Sequence, residues 1–247
     1  NAIGGMGAIT QAMAAEAQAR GVEISTGAEV ARVRVKDGRT AGVVLADGTQ
    51  IEARTIASNV EPSLLYLRLV EPAALEADFR SRIERWRLGS GSLRMNVALA
   101  ELPDFRCAPG THSQPHHGAG IIMAPSLAYM DRAWVEARES GWARAPIVEM
   151  LIPSTVDATL APPGAHVASL FCQHFNPVLP GGRTWDDARE AAADTVIDTV
   201  NEFAPNFRAS ILARQVFTPL DMEREFGLTR GDIFHGALTL DQLFSAR

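Results

Sequence analysis

Two Asp-Gly pairs constrain the first part of this chain more tightly than any other feature of its sequence. Asp37-Gly38 and Asp47-Gly48 each follow a run of strand-forming residues, at 30–35 and 43–45. Asp-Gly between such runs is a strong hairpin signal, because both residues tolerate the positive φ angles that tight hairpin turns need. The pattern predicts an antiparallel β-meander with further strand residues within 51–57.

A helix and a short strand are predicted before the meander. Residues 7–20 are rich in alanine and carry Ile9 and Met13 on one face. Gly21 follows as a C-terminal stop, so the segment is typical of a helix. Residues 22–25 predict the short strand.

The glycines at 4, 5 and 7 raise a second possibility, since N–H groups at the start of a helix can bind a phosphate. A nucleotide-binding fingerprint has a strand before its glycines and a third small residue where this chain has Thr10. Because Thr10 departs from that pattern, we interpret the glycines as allowing close packing at the helix entry.

After Glu61-Pro62 the chain predicts a sheet covered by helices. Strands are expected at 92–100, 119–124, 145–152, 165–173 and 210–217, and helices at 62–70, 72–87, 126–139 and 184–204. The first of these strands is the clearest, because apolar residues alternate from Leu93 to Leu99. Strands separated by helices and long loops predict an α/β or α+β fold with a mixed sheet.

Composition and charge exclude several classes of function. The 247 residues are 47% hydrophobic and carry a formal net charge of −6, with no basic patch interleaved with aromatics. A nucleic-acid partner is therefore not expected. No apolar run reaches the roughly 18 residues that a membrane span needs. Cys107 and Cys172 form no CxxC pair, which favours buried thiols in a reducing compartment and predicts a cytoplasmic location.

Three histidines are candidate metal ligands. His112, His116 and His117 lie in a polar, proline-containing stretch at 101–118. Pro115 interrupts any helical register, and no carboxylate or thiol stands at a typical zinc-ligand spacing beside them. A solvated loop explains these histidines better than a metal-dependent hydrolase does, so we predict no metal site.

Other conspicuous residues have structural explanations. We interpret Leu-Gly-Ser-Gly-Ser at 88–92 as a flexible turn, because its spacing is not that of a nucleophile elbow. The four tryptophans are dispersed and are assigned to the core. His166 and His174 lie at even spacing on one predicted strand, so we expect them to share a face.

Sequences at both ends of the chain resemble one family. The stretch GGMGAITQAMAAEAQARGVEI, the V-x-x-V-x-V strand, the two Asp-Gly hairpins and IASNVEP resemble the flavin-dependent amine-oxidase and phytoene-desaturase-like superfamily. The segment GDIFHGALTLDQLFSAR is similar to its phytoene-dehydrogenase-related branch, which includes the pyridine nucleotide-disulfide oxidoreductase domain-containing proteins. The resemblance is most specific at 1–62 and 225–247.

The resemblance implies an internal piece of a larger FAD-dependent oxidoreductase. It assigns 1–58 to part of the FAD-binding domain, 59–230 to the substrate-binding domain, and 231–247 to a segment that returns towards the FAD-binding domain. The family's pyrophosphate-binding stretch and its final Gly-rich flavin contact have no counterpart here. We therefore expect this chain alone to bind FAD weakly or not at all.

The resemblance also suggests cofactor contacts in the first part of the chain. Val30 matches the strand position that offers backbone groups to the adenine of FAD, although it could equally be a core residue of its strand. Ser58 and Asn59 follow a predicted strand and would lie near the cofactor crevice.

In the second matching segment, His235, Gly236 and Gln242 would line the side where flavin and substrate meet. A capping or packing role is the alternative for these three residues. The implied chemistry is hydride transfer to the flavin from a small apolar organic substrate, and the sequence identifies no catalytic acid or base. A non-catalytic domain that binds a partner or self-associates into a homo-oligomer remains an alternative function.

Overall fold

The computed structural model describes residues 2–89, 91–110 and 112–243. The helices are α1 (Gly7–Ala19), α2 (Pro62–Leu64), α3 (Ala77–Glu84), α4 (Leu127–Ser140), α5 (Trp185–Phe203), α6 (Phe207–Ser210) and α7 (Pro219–Phe226). The strands are β1 (Val30–Lys36), β2 (Arg39–Leu45), β3 (Gln50–Glu52), β4 (Leu93–Leu99), β5 (Ile121–Met123), β6 (Trp142–Leu151), β7 (His166–Phe175) and β8 (Ile211–Phe217). None of the helices in the described ranges is long and apolar enough to cross a membrane.

The predicted meander is present as a sheet with the order β1-β2-β3, and both of its pairs are antiparallel. At its first turn, Asp37 has a φ of 50° and Gly38 a φ of 71°. Two successive positive φ angles are those of the mirror-image turn that matches strand twist, which confirms the Asp-Gly prediction. At the second turn, the backbone N–H of Thr49 donates to the Asp47 carboxylate over 2.8 Å.

The short strands predicted at 22–25 and 55–57 are wrong, because both segments are irregular in the structure. A strand exists only where a neighbour accepts and donates its backbone hydrogen bonds, and no described strand lies beside either segment. Val22 and Ile24 are 52% and 44% exposed. Ser58 and Asn59 consequently follow an irregular segment and not a strand.

The five-stranded sheet has the order β5-β6-β7-β4-β8 and is antiparallel at every pair. The α+β class is confirmed, and the mixed sheet of the prediction is corrected to an antiparallel one. The reason lies in the connections. Helix α4 joins two antiparallel neighbours, β5 and β6, while α5 joins β7 and β8, which lie on opposite sides of β4.

One face of this sheet carries the main core. Leu93, Met95, Val97 and Leu99 are 0 to 1% exposed, as their alternation predicts. They cluster with the buried side of α5, whose buried residues recur at helical spacing. On the opposite face, α4 packs through Ala133 and a small cluster that includes Ala143 and Ile147. The sheet is therefore covered on both sides, by α5 and in part by α4.

The helical predictions differ in outcome. Helix α5 begins as predicted, because the Thr184 side chain accepts a hydrogen bond from Asp187 N. The predicted helix at 62–70 is α2 followed by a π-helical turn at Leu65–Leu69, and the one at 72–87 contracts to α3 after a 3₁₀ turn at Pro72–Ala74.

The described residues of 101–118 form a loop pinned by His117, which corrects the solvated loop of the prediction for that residue, whereas His112 is exposed and position 111 lies outside the described residues. His117 is 1% exposed: its Nδ1 accepts from Gln114 N over 3.0 Å, and its Nε2 lies 2.9 Å from the carbonyl oxygen of Pro103. Burial and the neighbouring His117 lower the pKa of His116. Within the described ranges, no group of three His, Cys, Asp or Glu residues could hold a metal ion.

The two cysteines differ in environment. Cys172 is buried, as predicted, and burial raises the pKa of its thiol. Cys107 is exposed, which corrects the prediction that both thiols are buried, because it lies in the pinned loop and outside the core.

Candidate functional site

A cleft with a volume of about 570 Å³ opens between α4, the end of β7, residues 87–89 and 91–92, and the tail, by which we mean residues 231–243. The side chains that give it chemical character are Ser92, Trp134, Arg138, Phe171, His174 and Leu238. A concave site with aromatic and apolar walls and a few polar groups is the usual form of a small-molecule site.

The tail is held against residues 86–89 and 91 by backbone-directed hydrogen bonds. Asp232 accepts from Gly89 N over 3.0 Å and forms an isolated antiparallel bridge with Gly91. The indole N–H of Trp86 donates to the His235 carbonyl oxygen over 3.1 Å. These contacts give the cleft a wall made of two distant segments of chain.

The described part of 88–92 anchors the tail through Gly89 and Gly91, so its interpretation as a flexible turn is wrong there, and Ser90 lies outside the described residues. Gly91 is buried, and a Cβ at this position would overlap the carbonyl oxygen of Phe175. Glycine is needed here because β7 and the tail both approach its backbone closely. Ser92 follows directly and enters the cleft wall.

Helix α4 presents an aromatic and a cation to the cleft. Trp134 and Arg138 are one turn apart, and the guanidinium carbon of Arg138 lies 5.4 Å from the centre of the Trp134 ring. The helix is fixed by Tyr129, whose hydroxyl donates to the carbonyl oxygen of Pro146 over 2.9 Å. Burial raises the pKa of Tyr129 to about 12, so this hydroxyl keeps its proton. Trp134 is 45% exposed, which corrects its assignment to the core.

His174 is the third side chain of this group and packs beside Trp134. Its ring meets the Trp134 ring edge-on, with 5.0 Å between the ring centres. The expected shared face with His166 is wrong, because His166 pairs with Leu99 of the core face, whereas His174 packs against Trp134 of α4. His174 thus joins Phe171 on the cleft side of the sheet. Burial lowers the pKa of His174.

Among the described residues of this region, two side-chain polar atoms are buried without a hydrogen-bond partner. They are the hydroxyl of Ser92, a residue that is only 2% exposed, and Nδ1 of His235. A buried polar group without a partner costs free energy, so each of these atoms is a place where a bound molecule could supply the missing hydrogen bond.

The six residues predicted from the sequence fall into two groups. Gln242, His235 and Gly236 gather in the tail around Trp86 and Arg87. Their contacts are those of packing residues, and their neighbours Phe234, Ala237 and Leu238 line the cleft.

The other three predicted residues lie in and after the meander. Val30 is half-buried and opens β1, the edge strand of its sheet. Ser58 and Asn59 are exposed, and the Ser58 hydroxyl accepts from Val60 N over 3.4 Å. No hydrogen bond or ring contact between described residues joins this group to the tail.

Sequence reasoning missed Ser92, Arg138 and His174, and placed Trp134 in the core. These residues come from three separated segments, so no local motif contains them. The one local signal was the spacing of Trp134 and Arg138, which puts an aromatic and a cation on one face of an amphipathic helix.

A second concavity is a groove of about 730 Å³ along α1, lined by Ile9, Met13 and several alanines. No residue of α1 is buried. The helix is tied to the rest of the chain at its start, where Gly4 N donates to the Asp157 carboxylate over 2.8 Å. Gly4 and Gly5 have φ angles of 85° and 81°, which explains glycine at both positions.

Known proteins resemble the chain in sequence and in fold. Residues 2–93 match the family described as flavin containing amine oxidoreductase. The chain is 40% identical over 250 residues to pyridine nucleotide-disulfide oxidoreductase domain-containing protein 2 of Mus musculus, covering 99% of this chain and 43% of that protein. It is 25% identical over 227 residues to prolycopene isomerase 2, chloroplastic, of an Oncidium hybrid cultivar, covering 88% of this chain and 34% of the relative.

The solved structure of an oxidoreductase from Methanosarcina mazei aligns with a TM-score of 0.59 at 19% identity, covering 87% of this chain and 43% of that one. At this identity the likeness shows the fold alone. The chain spans less than half the length of each of these proteins.

Proposed function

Because the chain belongs to the flavin amine-oxidase-like superfamily, we propose that it is the substrate-binding part of an FAD-dependent oxidoreductase related to the phytoene dehydrogenases. The observation that carries the proposal is the cleft between α4 and the tail, whose walls are mainly aromatic and apolar. Relatives named prolycopene isomerase and 4,4'-diapolycopene oxygenase support a substrate with an apolar body.

The proposed division of the chain follows the resemblance. Residues 1–58 would belong to the FAD-binding domain, 59–230 to the substrate-binding domain, and 231–247 to the returning segment, of which 244–247 lie outside the described residues. Packing of the tail on residues 86–89 and 91 supports this arrangement, because a segment running back towards the cofactor would then form one wall of the substrate cleft.

The residues present fit an FAD at two places. Strand β1 is an edge strand, so near Val30 its outer side can offer a backbone donor and acceptor to an adenine. In the tail, the buried Nδ1 of His235 has no hydrogen-bond partner among the residues that the structure describes and could meet a polar atom of a cofactor. Two separate contacts support the expectation that this chain alone binds FAD weakly or not at all.

When bound, FAD supplies the acceptor for a hydride that leaves a C–H unit of the substrate. The chain's own residues would bind and orient the substrate. Phe171 and Trp134 offer aromatic surfaces, and Leu238 with Phe234 closes the side formed by the tail. Packing of these walls around an apolar body would exclude water from the reacting carbon.

The test is the flavin content of the full-length protein in which this chain occurs. We expect about one FAD per chain to be released when the purified protein is denatured, and little or none from residues 1–247 expressed alone. A full-length protein that carries no flavin and takes up none on reconstitution would contradict the proposal.

The alternative function is self-association or partner binding without catalysis. The exposed apolar side of α1 favours it, since Met6 and Met13 are 72% and 66% exposed. In the proposed oxidoreductase this side packs against the remainder of the FAD-binding domain. Light scattering distinguishes the two, because a full-length protein that is monomeric and carries flavin leaves no role for self-association. A cytoplasmic location remains part of the proposal and is checked by imaging the tagged protein.

A further inference from the structure

We propose that the cleft binds a substrate with an apolar body and one carboxylate, and that the carboxylate is received by Arg138, His174 and Ser92. This inference rests on the proposed function in one respect, namely that the cleft is the substrate site. It narrows the substrate class from an apolar molecule to an apolar acid.

The charged side chains that line the cleft do not balance. Its lining contains two arginines, Arg87 and Arg138, and no aspartate or glutamate. Arg87 is neutralised by Asp241, with 2.6 Å between the guanidinium and the carboxylate. Arg138 forms no ion pair with any described residue, so the cleft carries an unbalanced positive charge.

The guanidinium of Arg138 is oriented by the ring of Trp134. Arg138 lies over the face of Trp134, and the ring of His174 packs nearly perpendicular to the same indole, with 5.0 Å between the ring centres. The shared indole therefore brings a cation and an imidazole to one corner of the cleft, and both residues also line the smaller concavity beside it. Stacking limits the freedom of the guanidinium, which lowers the entropic cost of binding an anion there.

The hydroxyl of Ser92 can contribute a hydrogen bond to the carboxylate. It is buried in the cleft wall and has no partner in the described part of the chain. A hydroxyl can donate to a carboxylate oxygen, and a bond to a charged acceptor is stronger than one to a neutral acceptor. His174 can act in the same way, because its imidazole carries at least one N–H in either protonation state.

The remainder of the cleft lining supplies apolar side chains. Beyond Arg138, His174 and Ser92, the cleft is surrounded by Phe171, Leu88, Phe234 and Leu238. A neutral hydrocarbon would satisfy these walls and leave Arg138 and Ser92 unused. An apolar acid satisfies both parts, since its body contacts the aromatic walls and its single charge meets the arginine.

The test compares 4-phenylbutyrate with 4-phenylbutanol, which have the same apolar body and differ in charge. Binding to the flavin-loaded full-length protein is measured by isothermal titration calorimetry. We expect the acid to bind at least about tenfold more tightly than the alcohol, since hydrogen bonds to a charged group are worth more than those to a neutral one.

Two arginines on α4 provide matched variants. Arg138→Gln should weaken the acid by about tenfold and leave the alcohol unchanged. Arg132→Gln removes the same charge from the same helix outside the cleft and should change neither affinity. Ser92→Ala should weaken the acid severalfold, which tests the site without altering its charge.

Equal binding of the two compounds, binding of neither, or equal losses in the two arginine variants would overturn the inference. The flavin content of each sample is measured alongside. Normal flavin content without acid selectivity refutes the carboxylate site and leaves the proposed oxidoreductase standing. Absence of flavin together with acid selectivity refutes the oxidoreductase and leaves the site standing.

Discussion

The side chain of Gln242 hydrogen-bonds to both backbone groups of Arg87. Arg87 N donates to Gln242 Oε1 over 2.8 Å, and Gln242 Nε2 donates to the Arg87 carbonyl oxygen over 3.0 Å. The backbone thus dictates the orientation of the amide, because its oxygen must face a donor and its nitrogen an acceptor. Gln242 is 4% exposed, so this pair acts where water competes little.

We predict that Gln242→Ala lowers the free energy of unfolding by about 1–3 kcal/mol, because it removes the acceptor of the Arg87 N–H. Urea unfolding measures the loss, and hydrogen exchange should show faster exchange within 231–243. Asp241→Asn is the control: it weakens an exposed ion pair with Arg87 and an exposed hydrogen bond with Thr239, so its effect should be smaller. Equal effects of the two variants would mean that the amide pair does not hold the tail.

Gly236 is needed because of Trp86. A Cβ at position 236 would lie 2.6 Å from Cζ2 of the indole ring. Gly236→Ala should therefore push the tail or the indole aside and lower stability by about 1–3 kcal/mol, with a shift in tryptophan emission. Gly89→Ala is the matched control, since a Cβ there has no neighbour within 4 Å. An unchanged unfolding free energy for Gly236→Ala would show that the two segments are not in contact.

Removing the Ser92 hydroxyl should not destabilise the protein. Its oxygen is buried without a partner, so Ser92→Ala should leave the unfolding free energy unchanged or raise it by up to about 1 kcal/mol. Ser210 is a buried serine with a partner, because its hydroxyl donates to the Phe207 carbonyl oxygen over 2.8 Å. Ser210→Ala should lower stability by about 1 kcal/mol. A clear loss for Ser92→Ala in thermal unfolding would mean that its hydroxyl already has a partner in the free protein.

The elements that could be predicted from the sequence are those whose cause is local. The turn at Asp37-Gly38 follows from two residues that accept positive φ, and β4 follows from the alternation between Leu93 and Leu99. The start of α5 follows from the hydroxyl of Thr184. Each needs only a few neighbours along the chain, so the amino-acid sequence carries the whole signal.

The parts that could not be predicted depend on distant partners. Residues 22–25 have the composition of a strand but no described strand beside them, and composition cannot reveal a neighbour. The cleft has the same origin, since Ser92, His174 and Arg138 meet only after the sheet, α4 and the tail have packed. The hydrogen bond between Gln242 and Arg87 spans 155 positions and has no local signature either.

The free energy of unfolding should depend on pH through histidines whose pKa is lowered by burial. Burial lowers the pKa of His174 below its ordinary 6.5, so the folded protein binds a proton there less readily than the unfolded chain does. As the pH falls below 6.5, the unfolded state gains protons first and stability decreases until the folded pKa is reached. His116 and His166 have pKa values lowered in the same direction, chiefly by burial, and add to this slope. His174→Gln should therefore reduce, but not abolish, the loss of unfolding free energy between about pH 7.5 and about pH 5.5, a window that lies above the titration of the carboxylates. Urea unfolding of both proteins at the two pH values measures the difference, and identical losses would mean that His174 titrates normally in the cleft.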